Sequence, residues 1–202
     1  MALRAVREVS RDAVISVDTF RAEIARRSVE EYGVAIINDI SGGDMDPAMF
    51  ATVAELGVAY VLMHTRGTPA TMQSLTDYDD VTAEVLSDLA FKSDRLRDMG
   101  VADVILDPGF GFAKSVEQNY RLLAELEAFA ATGMSVLAGL SRKSMIWRPL
   151  GITPSESLPG TVALNMAALE RGASILRVHD VAEAVQTVAL YMLLKKEGGG
   201  EC

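Results

Sequence analysis

Apolar residues in this chain fall into short continuous runs, separated by longer stretches where they recur every three or four positions. The runs lie at 14–17, 34–37, 59–63, 104–106, 136–140 and 175–178. Runs this short that do not alternate with polar residues predict parallel strands covered on both faces. The helical spacing predicts helices over 21–32, 47–56, 79–99, 117–131, 161–171 and 182–195. Residues 1–11 read as the end of another helix, with Leu3, Val6 and Val9 on one face. Gly33, Gly57, Gly100 and Gly172 stand where C-caps belong. Residues 65–77 and 149–158 read as loops, and 196–202 as a disordered tail beyond a single domain of 1–195.

Six strands, each followed by a helix, mean a doubly wound sheet or a (β/α)8 barrel. The strand ends decide between them. Asp18, Asn38, His64, Asp107, Ser141 and His179 put a polar group at the C-terminal end of every strand. Barrel strands converge on one mouth there, whereas a doubly wound sheet concentrates its ligand at one switch point. The expected fold is therefore α/β, a TIM-type barrel reduced to the last six of its eight βα units.

The stretch VILDPGFGFAKS (104–115) carries most of the candidate chemistry. Its strand stops at Asp107, Pro108 and Gly109 end it, and Gly111 turns the chain between Phe110 and Phe112 before Lys114. Such a loop, read with both aromatics exposed, makes one wall of a site for a flat polar ligand bearing negative charge. Asp18, Asn38 and Asp107 can read the donor and acceptor edge of a heterocycle, or simply cap helices. Met63, Met72, Phe110, Phe112 and Met145 could sandwich a ring or pack the core. Ser141, Arg142, Lys143, Arg177 and His179 gather on the last two strands, where barrels hold phosphate. Arg66 and Lys114 would add positive field; the alternative is salt bridging to neighbouring acids. His179 and Asp180 are metal-ligand types, but their spacing matches no zinc motif.

Composition narrows the classes. The chain has 202 residues, 50% of them hydrophobic, which suits one domain with a sizeable core. A net charge of −9 argues against general binding to nucleic acid or anionic membranes. No apolar run approaches the roughly 20 residues of a membrane span. The N-terminus lacks a signal peptide's apolar core, and the one cysteine, Cys202, allows no internal disulfide, so the expected compartment is the cytoplasm.

Six segments together resemble the dihydropteroate synthases: ISVDT (15–19), IINDISGG (36–43), VLMHTRGTPATMQ (61–73), LDPGFGFAKS (106–115), LAGLSRKS (137–144) and ILRVHDV (175–181). The resemblance implies a (β/α)8 barrel that joins 6-hydroxymethyl-7,8-dihydropterin diphosphate to p-aminobenzoate and releases diphosphate and 7,8-dihydropteroate. It assigns the pterin to Asp18, Asn38, Met63, Asp107 and Lys143. The diphosphate falls to Asn38, Arg177 and His179, and p-aminobenzoate to Phe112, Ser141 and Lys143. Lys143, Arg177 and His179 become the catalytic group. The resemblance also implies Mg2+, a homodimer and competition by sulfonamides.

The departures from the family pattern are specific. The family's Asn-x-Thr-Pro-Asp-Ser-Phe motif, whose Asn helps bind magnesium, and its Ser-Thr-Arg-Pro loop do not occur, so no metal ligand is expected in this chain. Ala113 stands where glycine is common, and Thr65 where methionine is common. Two other readings are a pterin-dependent methyltransferase domain, against which SRKS and RVHD argue, and a remnant that binds pterin without turnover.

Overall fold

The computed structural model describes residues 2–68 and 70–198. Six parallel strands form one sheet in chain order: β1 (Ser16–Asp18), β2 (Ile36–Asp39), β3 (Ala59–Met63), β4 (Val104–Asp107), β5 (Ser135–Ala138) and β6 (Ile175–Leu176). The helices are α1 (Ala2–Val9), α2 (Ala22–Tyr32), α3 (Met49–Leu56), α4 (Val81–Asp98), α5 (Val116–Ala124), α6 (Glu127–Ala130), α7 (Ser144–Leu150), α8 (Leu158–Glu170) and α9 (Val181–Glu197). The sheet curls so that residues of all six strands line one cavity of about 460 Å³. This is a barrel wall of six βα units, as the strand pattern predicts; β1 and β6 each have one sheet neighbour.

The two-residue period of a strand sorts the side chains. Ile37, Tyr60, Leu62, Leu106, Val136 and Ala138 face outward and pack under the helices. Val61, Ile105 and Leu137 face inward, with Ile36, Ala59 and Ile175 against them. One step nearer the mouth, the same inward parity carries Asp18, Asn38, Met63, Asp107 and Arg177. Burial of the outer layer therefore dictates which polar groups meet above the inner one.

The elements differ from expectation where local signals competed with packing. The predicted helix over 117–131 divides at Glu125, where tighter turns let both Leu126 and Phe129 reach full burial. Helix α7 was not expected, because Pro149 reads as a breaker; it lies in the last turn and costs one hydrogen bond. Lys196 and Glu197 continue α9 rather than starting a tail, and residues 199–202 lie outside the described residues. Arg7 supplies an unforeseen cap, donating to the Tyr32 and Gly33 carbonyls at the end of α2 (2.8 and 2.7 Å) and to that of Ala13 (2.7 Å).

Candidate functional site

The floor of the cavity is built by β1, β2 and β4. Register sets Asp18 beside Asn38, whose Nδ2 donates to Asp18 Oδ1 at 2.7 Å. That leaves Asn38 Oδ1 buried without a partner. Such an oxygen is a standing acceptor for a ligand N–H. Behind it, buried Asp39 accepts from Ser41 N, Ser41 Oγ, Gly43 N and Tyr60 Oη, which fixes the 40–43 turn. Met63 is buried opposite Asp107 in the register. Asp107 is also buried and takes the Gly109 N–H at 2.8 Å. Burial pushes its carboxyl upward, against the pull of Lys143, the Gly109 N–H, Lys114 and Arg177. A desolvated carboxylate with free acceptor capacity and a bare amide oxygen thus both stand on the inward face of the sheet.

The rim carries the cations. Gly139 lies beside Lys143 and Arg177: a Cβ there would sit 3.7 Å from Lys143 Nζ and 4.0 Å from the Arg177 Cβ, which are ordinary contact distances. Lys143 donates to the Phe110 carbonyl, and its Nζ lies 5.0 Å above the Phe112 ring. Burial lowers its pKa to about 8, partly offset by Asp107. Arg177 reaches across to Asp18 Oδ2 at 2.6 Å, with both side chains about half exposed. His179 Nδ1 lies 2.9 Å from Ser141 Oγ, which also accepts the His179 backbone N–H at 3.2 Å. Asp18, Asn38, Arg177 and His179 line one basin, while Asp107 follows Ile105 on the inward face of β4 and feels the charges of Lys143 and Arg177. Phe112 and Met72 line a separate, much smaller cleft with Ile40, Met45, Thr65 and Thr68.

Several expectations are corrected. Phe110 is fully buried in the core, because the loop turns it under the sheet; only Phe112 stays partly open. Met145 is likewise core. Arg142 is not a free anion ligand: its guanidinium grips Asp180 at 2.7 and 2.9 Å and binds the Pro154 and Ser155 carbonyls. Arg66 pairs with Glu84 at 2.6 Å and stacks on Tyr78, and Lys114 is buried against the backbone. Ala113 has φ of 49°, the left-handed region that explains a glycine preference there. Sequence reasoning also missed Asn119, which takes the Gly111 N–H at 2.6 Å; its only signal was its place one turn into a helix after a glycine loop.

His64 is at the strand end but not in the basin. It is buried, and its Nδ1 lies 3.0 Å from Lys114 Nζ. Burial, with repulsion from Lys114, Lys92 and Arg66, lowers its pKa to about 2. Between the ordinary histidine value and that one, the unfolded chain binds a proton that the fold does not, so stability falls as pH falls. The slope approaches about 1.4 kcal/mol per pH unit. His64→Asn should show a shallower decline in urea titrations taken at successively lower pH. Parallel curves for the two proteins would mean that His64 charges freely in the fold.

Comparisons with known proteins agree with this geometry. Residues 1–179 match the family model described as pterin binding enzyme. The dihydropteroate synthase of Escherichia coli is 44% identical over 176 residues, which cover 86% of this chain and 62% of that protein. The chain therefore spans less than two thirds of this relative's length. The Mycobacterium leprae dihydropteroate synthase is 39% identical over 91% of this chain and 68% of its own. Dihydropteroate synthase of Thermus thermophilus superposes with a TM-score of 0.89 at 39% identity, covering 95% of this chain; its structures include complexes with 6HMPPP, where the match covers 76% of that chain, and with 4-aminobenzoate, where it covers 74%. Sequence and fold converge, and the chain belongs to the pterin binding enzymes, among the dihydropteroate synthases.

Proposed function

We propose that this chain carries the pterin, diphosphate and p-aminobenzoate sites of a dihydropteroate synthase. The observation that carries the reading is the inward layer of the sheet, which brings the acid–amide–acid set Asp18, Asn38 and Asp107 under the cations Lys143 and Arg177. Asn38 Oδ1 and Asp107 suit the hydrogen-bonding edge of the pterin, with Met63 beside its ring. Arg177, His179 and the outer side of Asn38 take the diphosphate. Phe112, Ser141 and Lys143 take p-aminobenzoate, where sulfonamides would compete.

In the reaction, the arylamine nitrogen bonds to the pterin methylene while the C–O bond to diphosphate breaks. The amine's proton leaves to solvent, and no strong general base is assigned. Lys143, Arg177 and His179 stabilise the departing anion. Adjacent pockets supply proximity for the neutral amine. Mg2+ is proposed to travel with the diphosphate oxygens. Among the described residues no three of His, Cys, Asp or Glu gather into a metal cage. A cytoplasmic homodimer completes the proposal; Val185, Val188 and Met192 on α9 offer exposed apolar surface for a second copy. Among the described residues no helix is long and apolar enough to cross a membrane.

Arg177→Ala tests the anion assignment. Hydrogen bonds to charged groups contribute about 1.5–3 kcal/mol, so affinity for the dihydropterin diphosphate should fall by about tenfold or more. Affinity for the plain pterin alcohol should change little. Calorimetric titration of both ligands checks this, and equal losses would sink the assignment.

A further inference from the structure

Lys114 is a buried cation with no carboxylate on its ammonium among the described residues. Its Nζ lies 3.0 Å from the Phe112 carbonyl, 3.2 Å from that of Gly109 and 3.0 Å from His64 Nδ1. A protonated lysine has three N–H donors, so the cage and the cation match one for one. The neighbouring carbonyls of the loop are held by other groups: Phe110 by Lys143, and Gly111 by Gln73 Nε2 at 3.4 Å. Every carbonyl from 109 to 112 therefore has a side-chain donor, two of them from Lys114.

We infer that Lys114 is a positioning residue of the pterin site: seated in the cage of Gly109 O, Phe112 O and His64 Nδ1, it holds the loop in the shape that aims Asp107 and Lys143 at the ligand. The link to Asp107 is direct, since Gly109 gives its carbonyl to Lys114 and its N–H to the Asp107 carboxylate. The link to Lys143 runs through the loop itself, because Lys143 rests on the Phe110 carbonyl and the Phe112 ring. Releasing the ammonium would free both ends of the turn that those two groups lean on.

The cage also has a second stable protonation state. Burial lowers the pKa of Lys114 to about 7; Lys143 and Arg66 oppose its charge, while Asp107 and Asp88 support it. Around His64 stand Lys92, Arg66 and the Tyr78 ring. A neutral amine has two N–H groups and a lone pair. Its two N–H groups can keep both carbonyls, and it keeps the His64 contact as well only if His64 moves its ring proton from Nε2 to Nδ1 and donates to the lone pair. Loss of the Lys114 proton is thereby coupled to a tautomer change at His64, and two charge-assisted hydrogen bonds become neutral ones.

This inference rests on the pterin reading above. Its test uses 6-hydroxymethylpterin as the probe, titrated calorimetrically from about pH 6 to about pH 7.5, a window that spans the Lys114 value of about 7 and only the foot of the Lys143 transition near 8. Wild-type affinity should fall severalfold across it. Lys114→Arg, permanently charged, should be flat. Lys114→Met should be flat and about tenfold weaker than wild type at the low end. In the free wild type, 15N NMR of the His64 ring should show the proton moving from Nε2 to Nδ1 across the same window, a signature a merely structural lysine would not give. Lys114→Met binding with wild-type affinity and pH profile would overturn the inference, as would a His64 tautomer that stays constant. Failure of the wild type itself to bind the probe would bring down the pterin reading and this role together.

Discussion

Asp107→Asn is expected to weaken pterin binding by about tenfold to a hundredfold, since hydrogen bonds to a charged group contribute about 1.5–3 kcal/mol. The melting temperature should hardly move. The asparagine Oδ1 can still accept the Gly109 N–H that Asp107 takes at 2.8 Å, so the turn keeps its anchor. The change also removes a carboxylate that burial disfavours, which offsets what Lys143 and Lys114 lose. What the amide cannot do is present two acceptors to a ligand edge that offers two donors. Calorimetry on the pterin alcohol and a thermal melt, taken together, check the prediction. A large drop in melting temperature with unchanged affinity would make Asp107 a structural residue.

Gly109→Ala should have the largest effect on stability of any single methyl added to this chain. Its φ of 72° lies in the left-handed region, and its ideal Cβ would fall far inside contact with the His64 carbonyl oxygen, which is backbone and cannot rotate away. A left-handed alanine costs about 1–2 kcal/mol. Displacing packed structure adds about 1–3 kcal/mol or more. Against a domain stability of about 5–15 kcal/mol, the sum removes a large share. Urea unfolding that matches wild type within about 1 kcal/mol would show that the two strand ends separate easily, against their burial.

Most of the fold was legible because two periods carry it. Short unbroken apolar runs marked the strands, and the polar residue closing each run marked the mouth. Strand boundaries were less legible: β1 and β2 extend toward the mouth through Asp18 and Asp39, where pairing with a neighbour outweighs polarity. Helix α7 was hidden by Pro149, a local signal that the last turn absorbs. Within the site, Asp18, Asn38, Asp107 and Arg177 could be read because strand parity fixes where they point. Lys114, Arg142 and Phe110 could not, because loop backbone has no period. Whether a loop lysine meets a ligand or its own carbonyls depends on turns that only the folded chain displays.

The contact between Asp18 and Arg177 joins residues 159 positions apart, the widest separation of any side-chain hydrogen bond among the described residues. Every strand pairing, by contrast, joins consecutive strands. The sheet is thus a ladder that can zip from its middle outward, with little loop-closure entropy to overcome at each step. Strands β2 to β5 have four or five residues each, and β1 and β6 only three and two. Amide exchange should accordingly be slowest at the centre and quickest at the two outer strands. The basin draws on both regions: Asn38 stands on a slow rung, Asp18 and Arg177 on the fast ones. A ligand spanning the basin would therefore act as a clasp, slowing exchange most at the outer strands, far from where the chain is already held.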